Sequence, residues 1–251
     1  SDTCIVYQNI DTAEIFMNQT PLTPRNDSFR DLMRPAERIA ALIYLPIHIV
    51  ALPMVLPYLA YLSPQLSAVD INLIYYLTGF AYMLILCWRF LHESFNAALD
   101  AIGRFLTAIL TAYLLELALS MILSSLLVAF GGADIYSPNN ETITQMAPEG
   151  YNKLIAMTVF MAPIVEEILF RGLIFGSLRR RNRLAAWIVS VAIFSLYHIW
   201  QYAIDDPIYL ISAVLYIPGS ISLNWCYERS GSIWAPILYH MLTNAIGMGA
   251  I

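Results

Sequence analysis

Charged residues are scarce in this sequence of 251 residues. Asp, Glu, Lys and Arg together make up 12% of it, whereas hydrophobic residues make up 59%. A soluble domain usually contains about 25% charged residues, so this composition does not fit an ordinary soluble protein. Glycine and proline, with 11 and 13 copies, are too few for a low-complexity chain. What remains is the composition of a membrane protein.

Several motifs of known chemistry are also missing. The three cysteines, Cys4, Cys87 and Cys226, have neither C-x-x-C nor zinc-knuckle spacing. The sequence has no H-E-x-x-H of a helical zinc protease and no G-x-S-x-G elbow of a serine hydrolase. It has no phosphate loop, dinucleotide fingerprint or basic nucleic-acid face, so we expect no nucleic-acid partner. The first 35 or so residues lack a short apolar core, so we expect no cleavable signal peptide.

Long apolar stretches, in contrast, are abundant. About 20 apolar residues cross a bilayer as an α-helix. We interpret seven stretches as membrane spans: Ile39–Leu62, Ile71–Phe90, Phe105–Phe130, Leu154–Phe175, Leu184–Trp200, Ile208–Tyr227 and Ile233–Ile251. The predicted fold class is therefore all-α, a polytopic transmembrane helical bundle of about seven spans. Because the last stretch stops abruptly, the sequence leaves open whether an eighth helix follows it.

The polar segments divide the chain further. Residues 1–36 mix apolar and charged side chains, and we interpret them as a cytoplasmic N-terminal arm, partly an amphipathic helix near Phe29–Arg38. Residues 37–251 form the predicted transmembrane domain. Within it, residues 132–152 contain many Gly, Pro and Asn residues, so we expect an outer loop there.

Basic residues alternate between the predicted connections. They occur in the N-terminal arm, at the edges of the second connection, in the fourth and in the sixth, but not in the first, third or fifth. Cytoplasmic connections carry the excess of Lys and Arg, so this pattern predicts a cytoplasmic N-terminus for the multi-pass chain. The fourth connection has the run Arg179, Arg180, Arg181 and Arg183. It is most simply a topology signal, with attraction of lipid or a substrate tail as the alternative.

Ionisable side chains inside the predicted spans are concentrated in the C-terminal half. Each costs about 2.5–3.5 kcal/mol at the bilayer centre on insertion scales, yet the fourth span carries Glu166, Glu167 and Arg171 within six positions. Glu167 and Arg171 lie four apart, so we expect them to pair while Glu166 stays free for proton chemistry. An ion cluster that only holds helices together is the alternative. Glu116 and His48 are further intramembrane polar groups, which we interpret mainly as packing contacts.

Two histidines and an asparagine add to this set. His198 lies at the end of the fifth span, and His240 and Asn244 lie one turn apart on the seventh. A carboxylate with an imidazole can activate water, and a second imidazole with an amide can stabilise an oxyanion, which suits peptide hydrolysis. Glu166, His198 and His240 could instead bind a divalent metal such as zinc with an open position. Asn224 is a further candidate for lining the site, although packing is the simpler interpretation.

Together these motifs resemble a known family. The three motifs are Glu166-Glu167-x-x-x-Arg171, Phe194-x-x-x-His198 and His240-x-x-x-Asn244, in that order on successive spans. They are similar to those of the CPBP family, which joins CaaX proteases and bacteriocin-processing proteins and is also called the Abi family. The resemblance covers about residues 150–248, which we interpret as the catalytic core.

The resemblance implies a role for each matching residue. Glu166 is implied to be the catalytic glutamate, and His198 to help it activate water. His240 and Asn244 are implied to stabilise the oxyanion. The other two charged residues of the first motif are implied to have supporting roles. The family does not settle whether a metal is needed.

The leading hypothesis is an intramembrane endopeptidase. It would cut a peptide or protein substrate at the lipid bilayer, and family members act on prenylated CaaX proteins or process bacteriocin-like peptides. One alternative is a non-catalytic immunity or binding protein on the same scaffold. Another is a proton-coupled transporter, which predicts half-chain repeats that the sequence lacks.

Overall fold

The computed structural model describes residues 29–130 and 135–249. Within these ranges the protein is all-α and contains no strand, which confirms the all-α part of the predicted fold class. Most of the predicted N-terminal arm, including Cys4, lies outside the described residues. So do residues 132–134 of the predicted outer loop and the last two residues of the seventh predicted span.

The described part of the chain consists of α-helices joined by wider or tighter helical turns. In chain order the helices are α1 (Pro35–Leu62), α2 (Ala68–Leu86), α3 (Trp88–Asp100), α4 (Ile102–Ala129), α5 (Pro138–Ile155), α6 (Ala162–Glu167), α7 (Gly176–Arg179), α8 (Arg183–Tyr197), α9 (Trp200–Asp205), α10 (Ile217–Ser230) and α11 (Trp234–Met248). Wider π-helical stretches occupy Ile47–Ala51 within α1, Ala156–Met161 before α6, and Ile168–Phe175 after it. A 3₁₀ helix, Pro207–Tyr216, leads into α10.

In the part of the chain that the structure describes, four helices are long and apolar enough to cross a membrane by length and composition. They are α1, α2, α4 and the continuous helix Pro207–Ser230, whereas α8 is apolar but shorter. Their outward surfaces are apolar as well, since Leu106, Leu110 and Leu114 of α4 are each more than half exposed. Soluble proteins rarely leave apolar surface of this extent uncovered. The protein is therefore an integral membrane protein.

The seven predicted spans all fall on helical backbone among the described residues. The second is shorter than predicted, because α2 ends at Leu86 and a separate helix begins at Trp88. The fifth and seventh correspond to α8 and α11, with 15 residues each. The fourth is interrupted by π-helical stretches on both sides of α6.

The fourth predicted span runs through the centre of the protein. Every residue from 162 to 173 is buried, and the span packs against α1, α2, α8 and α11. Val165, Ile168 and Phe170 join the main apolar core with no exposed surface. Protein rather than lipid surrounds this span, which is why the bundle can accommodate charged side chains here.

The predicted outer loop at residues 132–152 is wrong for residues 138–152, which belong to α5. The Ser137 hydroxyl accepts a hydrogen bond from the Asn140 backbone N–H at 3.2 Å. Pro138 occupies the first helical position and Glu141 lies in the first turn. These N-terminal signals favour a helix more strongly than the Gly, Pro and Asn content disfavours it. The helix predicted near Phe29–Arg38 starts further along the chain than expected, because its first residue is Pro35.

A close approach at Gly79 gives a test of the packing. A Cβ atom there would lie 2.6 Å from the Tyr44 hydroxyl and 3.3 Å from Val165 Cγ2, both on buried residues. We expect Gly79→Ala to lower the free energy of unfolding by about 1–3 kcal/mol through overpacking, measured as a lower melting temperature in detergent. Gly103→Ala is the control, because its Cβ would meet nothing within 4 Å. Equal melting temperatures for the two variants would contradict the close approach.

Candidate active site

The two adjacent glutamates end the short helix α6. Glu166 and Glu167 are 3% and 0% exposed, so both carboxylates lie inside the protein. Successive residues on an α-helix point about 100° apart around its axis. The two carboxylates therefore meet different neighbours, although they are adjacent in the chain.

Glu167 is held by two charged or polar partners. Its Oε1 atom accepts a hydrogen bond from Arg171 Nη1 at 3.0 Å and another from His240 Nδ1 at 2.8 Å. The pairing of Glu167 with Arg171 that the sequence predicts is therefore present. A carboxylate in this position is committed to holding neighbouring side chains in place.

Arg171 has no exposed surface, and its guanidinium is surrounded by acceptors. Its Nε atom donates to Asn224 Oδ1 at 3.2 Å, and its Nη2 atom donates to the Ser220 hydroxyl at 3.1 Å. The Phe194 ring lies 4.1 Å from the guanidinium carbon, a cation–π contact. The Ser190 hydroxyl donates to the same Asn224 oxygen at 3.0 Å. Asn224 therefore supports Arg171 rather than lining the site.

Glu166 lacks such an anchor and faces both histidines. Its Oε2 atom lies 3.9 Å from His198 Nε2 and 3.9 Å from His240 Nε2. Both distances are too long for direct hydrogen bonds, which are about 2.7–3.2 Å for N–H···O. The structure thus brings together Glu166, His198 and His240 around one carboxylate oxygen.

The orientation of each imidazole is fixed by a hydrogen bond that its Nδ1 atom makes. His198 Nδ1 donates to the Phe194 backbone carbonyl at 2.9 Å, and the His198 ring stacks on Tyr216 with centroids 4.5 Å apart. His240 Nδ1 donates to Glu167. In both residues, Nε2 is left pointing towards Glu166.

Asn244 is hydrogen-bonded to a backbone carbonyl in the π-helical stretch that precedes α6. In the π-helical stretch Ala156–Met161 the N–H of Ala162 bonds to the carbonyl five residues earlier, on Met157. Pro163 is the next residue and has no N–H, so it cannot bond the carbonyl of Thr158. Asn244 Nδ2 donates to this Thr158 carbonyl at 2.8 Å. The amide of Asn244 is thereby held one helical turn from His240.

Water has little access to these groups. The side chains of Glu166, His198 and His240 are 5%, 13% and 8% exposed. Electrostatic interactions in such a site are stronger than in water.

The zinc alternative fits this geometry poorly. Zinc binds imidazole nitrogen and carboxylate oxygen at about 2.0–2.2 Å in a tetrahedral arrangement. Two donors of such an ion lie about 3.3–3.6 Å apart, closer together than Glu166 Oε2 and either imidazole Nε2, which are 3.9 Å apart. Among the residues described, no group of three or more His, Cys, Asp or Glu side chains has the spacing of a metal site.

The other intramembrane polar groups have separate positions. Glu116 accepts a hydrogen bond from the Tyr239 hydroxyl where α4 packs on α11, which agrees with the predicted packing contact. His48 contacts Tyr75 and Tyr197, which the sequence interpretation did not single out. In the sequence, the one feature that could have drawn attention to Tyr197 is its position next to His198.

Comparison with known proteins supports the motif assignment. Residues 149–246 match the family model described as "Type II CAAX prenyl endopeptidase Rce1-like". The matched range contains all six predicted site residues. This part of the chain is therefore similar to the CaaX-type peptidases of the CPBP family. The match leaves out α1 to α4, so it assigns nothing to the residues of those helices.

Two curated bacterial proteins are similar to part of the chain. It is 27% identical over 150 residues to "Putative membrane peptidase YdiL" of Bacillus subtilis (strain 168), covering 59% of this chain and 57% of that protein. It is 29% identical over 142 residues to "Membrane-embedded CAAX protease MroQ" of Staphylococcus aureus (strain USA300), covering 54% and 53%. The chain thus spans little more than half the length of these relatives. No solved structure gives a significant match.

The support of Arg171 by Asn224 can be tested through stability. Asn224→Leu keeps the side-chain size but leaves Arg171 Nε and the Ser190 hydroxyl without their shared acceptor. A buried group without a partner costs about 1–3 kcal/mol, so we expect a clearly lower melting temperature in detergent. Asn96→Leu, at an exposed position of α3, should leave the melting temperature nearly unchanged. A melting temperature of Asn224→Leu equal to that of the control would argue against this role.

Proposed function

We propose that the protein is an intramembrane endopeptidase in which Glu166 activates a water molecule to hydrolyse a peptide bond. The observation that carries this proposal is the division between the two carboxylates. Glu167 is bonded to Arg171 and His240, whereas Glu166 Oε2 faces two imidazole nitrogens at 3.9 Å.

Glu166 and His198 together suit the activation of water. The His198 Nδ1–H is engaged by the Phe194 carbonyl, so Nε2 of a neutral ring is an acceptor. A water molecule between Glu166 and His198 can then donate one hydrogen to each, with a lone pair left for the peptide carbonyl. Glu166 takes the proton as the C–O bond forms and returns it to the amine when the C–N bond breaks.

His240 is suited to stabilise the oxyanion. In this proposal both carboxylates are ionised, so Glu166 and Glu167 place two negative charges against the single positive charge of Arg171. Uncompensated charge is costly in a buried cluster, so a protonated His240 balances it. Its Nδ1–H goes to Glu167, and its Nε2–H becomes available to the developing oxyanion.

Asn244 is suited to act beside His240. A side-chain amide has two N–H donors, and the Thr158 carbonyl accepts only one of them at 2.8 Å. The second N–H of Asn244 can join His240 at the oxyanion. The Thr158 carbonyl then keeps the amide in its orientation without an energetic penalty during the reaction.

The substrate that we propose is an extended peptide segment of a membrane-associated protein. The names of the matching family model and of MroQ refer to CAAX proteins, which supports a prenylated C-terminus as the first substrate to test. A carboxylate that is 5% exposed is also more accessible to an extended segment than to a folded domain. A bacteriocin-like peptide is the second substrate class to test.

The central test is Glu166→Gln in purified protein. We expect this variant to lose at least about 100-fold in peptide cleavage, the usual contribution of a general base, while its melting temperature is retained. Cleavage of a prenylated CaaX peptide and of its unprenylated counterpart would be followed with and without a chelator. Glu149→Gln, at an exposed position of α5, is the control and should cleave normally.

Other outcomes of this test favour the alternatives. Cleavage by Glu166→Gln at the wild-type rate would overturn the proposed role of the carboxylate. No cleavage by the wild type, together with biological activity of Glu166→Gln, would indicate a binding or immunity protein. Proton-driven flux in liposomes without cleavage would indicate a transporter.

We also propose seven spans with a cytoplasmic N-terminus. Support comes from the arginine run at residues 179–183, which lines a surface cavity of about 500 Å³ together with Phe29, Arg30 and Asp31. This groups the N-terminal arginines and the arginine run at one end of the protein, as the positive-inside rule requires of cytoplasmic segments.

Cysteine labelling tests this topology. In a Cys4→Ser background, Cys87 and Cys226 are buried and should not react. A membrane-impermeant maleimide should label Asn140→Cys in intact cells but label Arg181→Cys only after the membrane is permeabilised, since both positions are exposed. The reverse pattern would place the N-terminus outside. Labelling of both variants in intact cells would contradict a membrane-separated arrangement.

A further inference from the structure

His48 is a fully buried histidine outside the family match. It lies in the π-helical stretch Ile47–Ala51 of α1, a stretch that begins directly after Pro46. His48 has no exposed surface. Single π-helical turns inside α-helices are frequent at functional sites. The matched range, 149–246, assigns no role to this residue.

Two tyrosines enclose the His48 ring. His48 Nε2 lies 3.0 Å from the Tyr197 hydroxyl and 3.1 Å from the Tyr75 hydroxyl. The ring is nearly parallel to both, with centroids 4.7 Å from Tyr75 and 5.6 Å from Tyr197. The Tyr75 hydroxyl also donates to the His48 backbone carbonyl at 2.9 Å.

The hydrogen-bond partners determine where the protons lie. His48 Nδ1 has no hydrogen-bond partner among the residues that the structure describes. A buried N–H without an acceptor is rarer than an unused acceptor, so we assign the ring proton to Nε2. The Tyr75 proton is committed to the His48 carbonyl. The His48 Nε2–H can then donate a hydrogen bond to the Tyr197 oxygen at 3.0 Å, which leaves the Tyr197 O–H to be donated to another acceptor.

The Tyr197 hydroxyl has two acceptors beside it. Its oxygen lies within reach of both the Glu166 carboxylate and the Tyr76 hydroxyl. Hydrogen bonds to an ionised acceptor are about twice as strong as those between neutral groups. The carboxylate is thus the favoured acceptor for the Tyr197 proton.

We propose that Tyr197 is a positioning residue for Glu166, held in its donating orientation by His48 and Tyr75. The chain runs from His48 Nε2–H to the Tyr197 oxygen, and from the Tyr197 O–H to the Glu166 carboxylate. It fixes the one carboxylate of the pair that has no ion-pair anchor, so that Oε2 faces the two imidazoles. This inference rests on the proposed peptidase function and extends it to α1 and α2.

Steady-state kinetics on the purified full chain test the proposal. Tyr197→Phe removes only the hydroxyl, and we expect kcat to fall about 10- to 100-fold, the range that follows small misplacements of a reacting group. KM should change less than twofold, because Tyr197 does not contact the substrate in this proposal. His48→Leu should show the same pattern, whereas His48→Gln, which keeps an N–H donor, should recover part of the loss.

Combined substitutions separate positioning from general stability. His48 acts through Tyr197, so His48→Leu together with Tyr197→Phe should be no slower than the slower single variant. Tyr82→Phe is the matched control, because it also removes a tyrosine hydroxyl between α1 and α2, one that donates to the Ala40 carbonyl at 3.1 Å. It should lower the melting temperature at most slightly and leave kcat unchanged.

The outcomes distinguish this proposal from the peptidase function itself. If the wild type cleaves peptide and Glu166→Gln does not, the peptidase function stands. A wild-type kcat in Tyr197→Phe, or losses that multiply in the double variant, would then overturn the positioning role alone. If His48→Leu fails to fold, as judged from its melting curve, Tyr197→Phe and His48→Gln decide the question.

Discussion

The guanidinium of Arg171 lies completely out of water, and keeping it paired constrains the helices around it. Removing one partner of a buried ion pair costs about 3–5 kcal/mol, because the remaining charge is left uncompensated. Arg171 meets this constraint with Glu167 on its own span, with Asn224 and Ser220 on α10, and through Glu167 with His240 on α11. One charge therefore sets the relative positions of three segments that carry the site.

This arrangement lets two neighbouring carboxylates have different chemistry. One oxygen of Glu167 accepts hydrogen bonds from a cation and an imidazole, whereas Glu166 has no ion pair at hydrogen-bond distance and faces His198 and His240 at 3.9 Å. Environments that differ this much separate the tasks of otherwise identical groups. The helix supplies the separation, since a rotation of about 100° per residue directs the two side chains to different neighbours.

Sequence patterns predicted the helical class and the pairing of Glu167 with Arg171, because both depend on local spacing. They also identified Glu166 and the two histidines that face it, since ionisable groups in apolar spans are conspicuous. The contacts of His48 with Tyr197 could not be predicted, because 149 positions separate the two in the chain. The helix at residues 138–152 was missed because its start depends on one capping contact of Ser137.

The π-helical stretches on either side of α6 have a consequence for how this span tolerates insertions and deletions. A π-helical turn holds about one residue more than an α-helical turn. Deleting one residue from Ala156–Met161 would let the wide turn close to an ordinary α-helical turn while α6 keeps its orientation. A deletion in an α-helical turn has no extra residue to absorb it, so it would rotate the residues that follow by about 100°. That rotation equals the offset between Glu166 and Glu167, so we expect the span to tolerate a deletion in the wide turn and to exchange the surroundings of the two carboxylates after a deletion elsewhere.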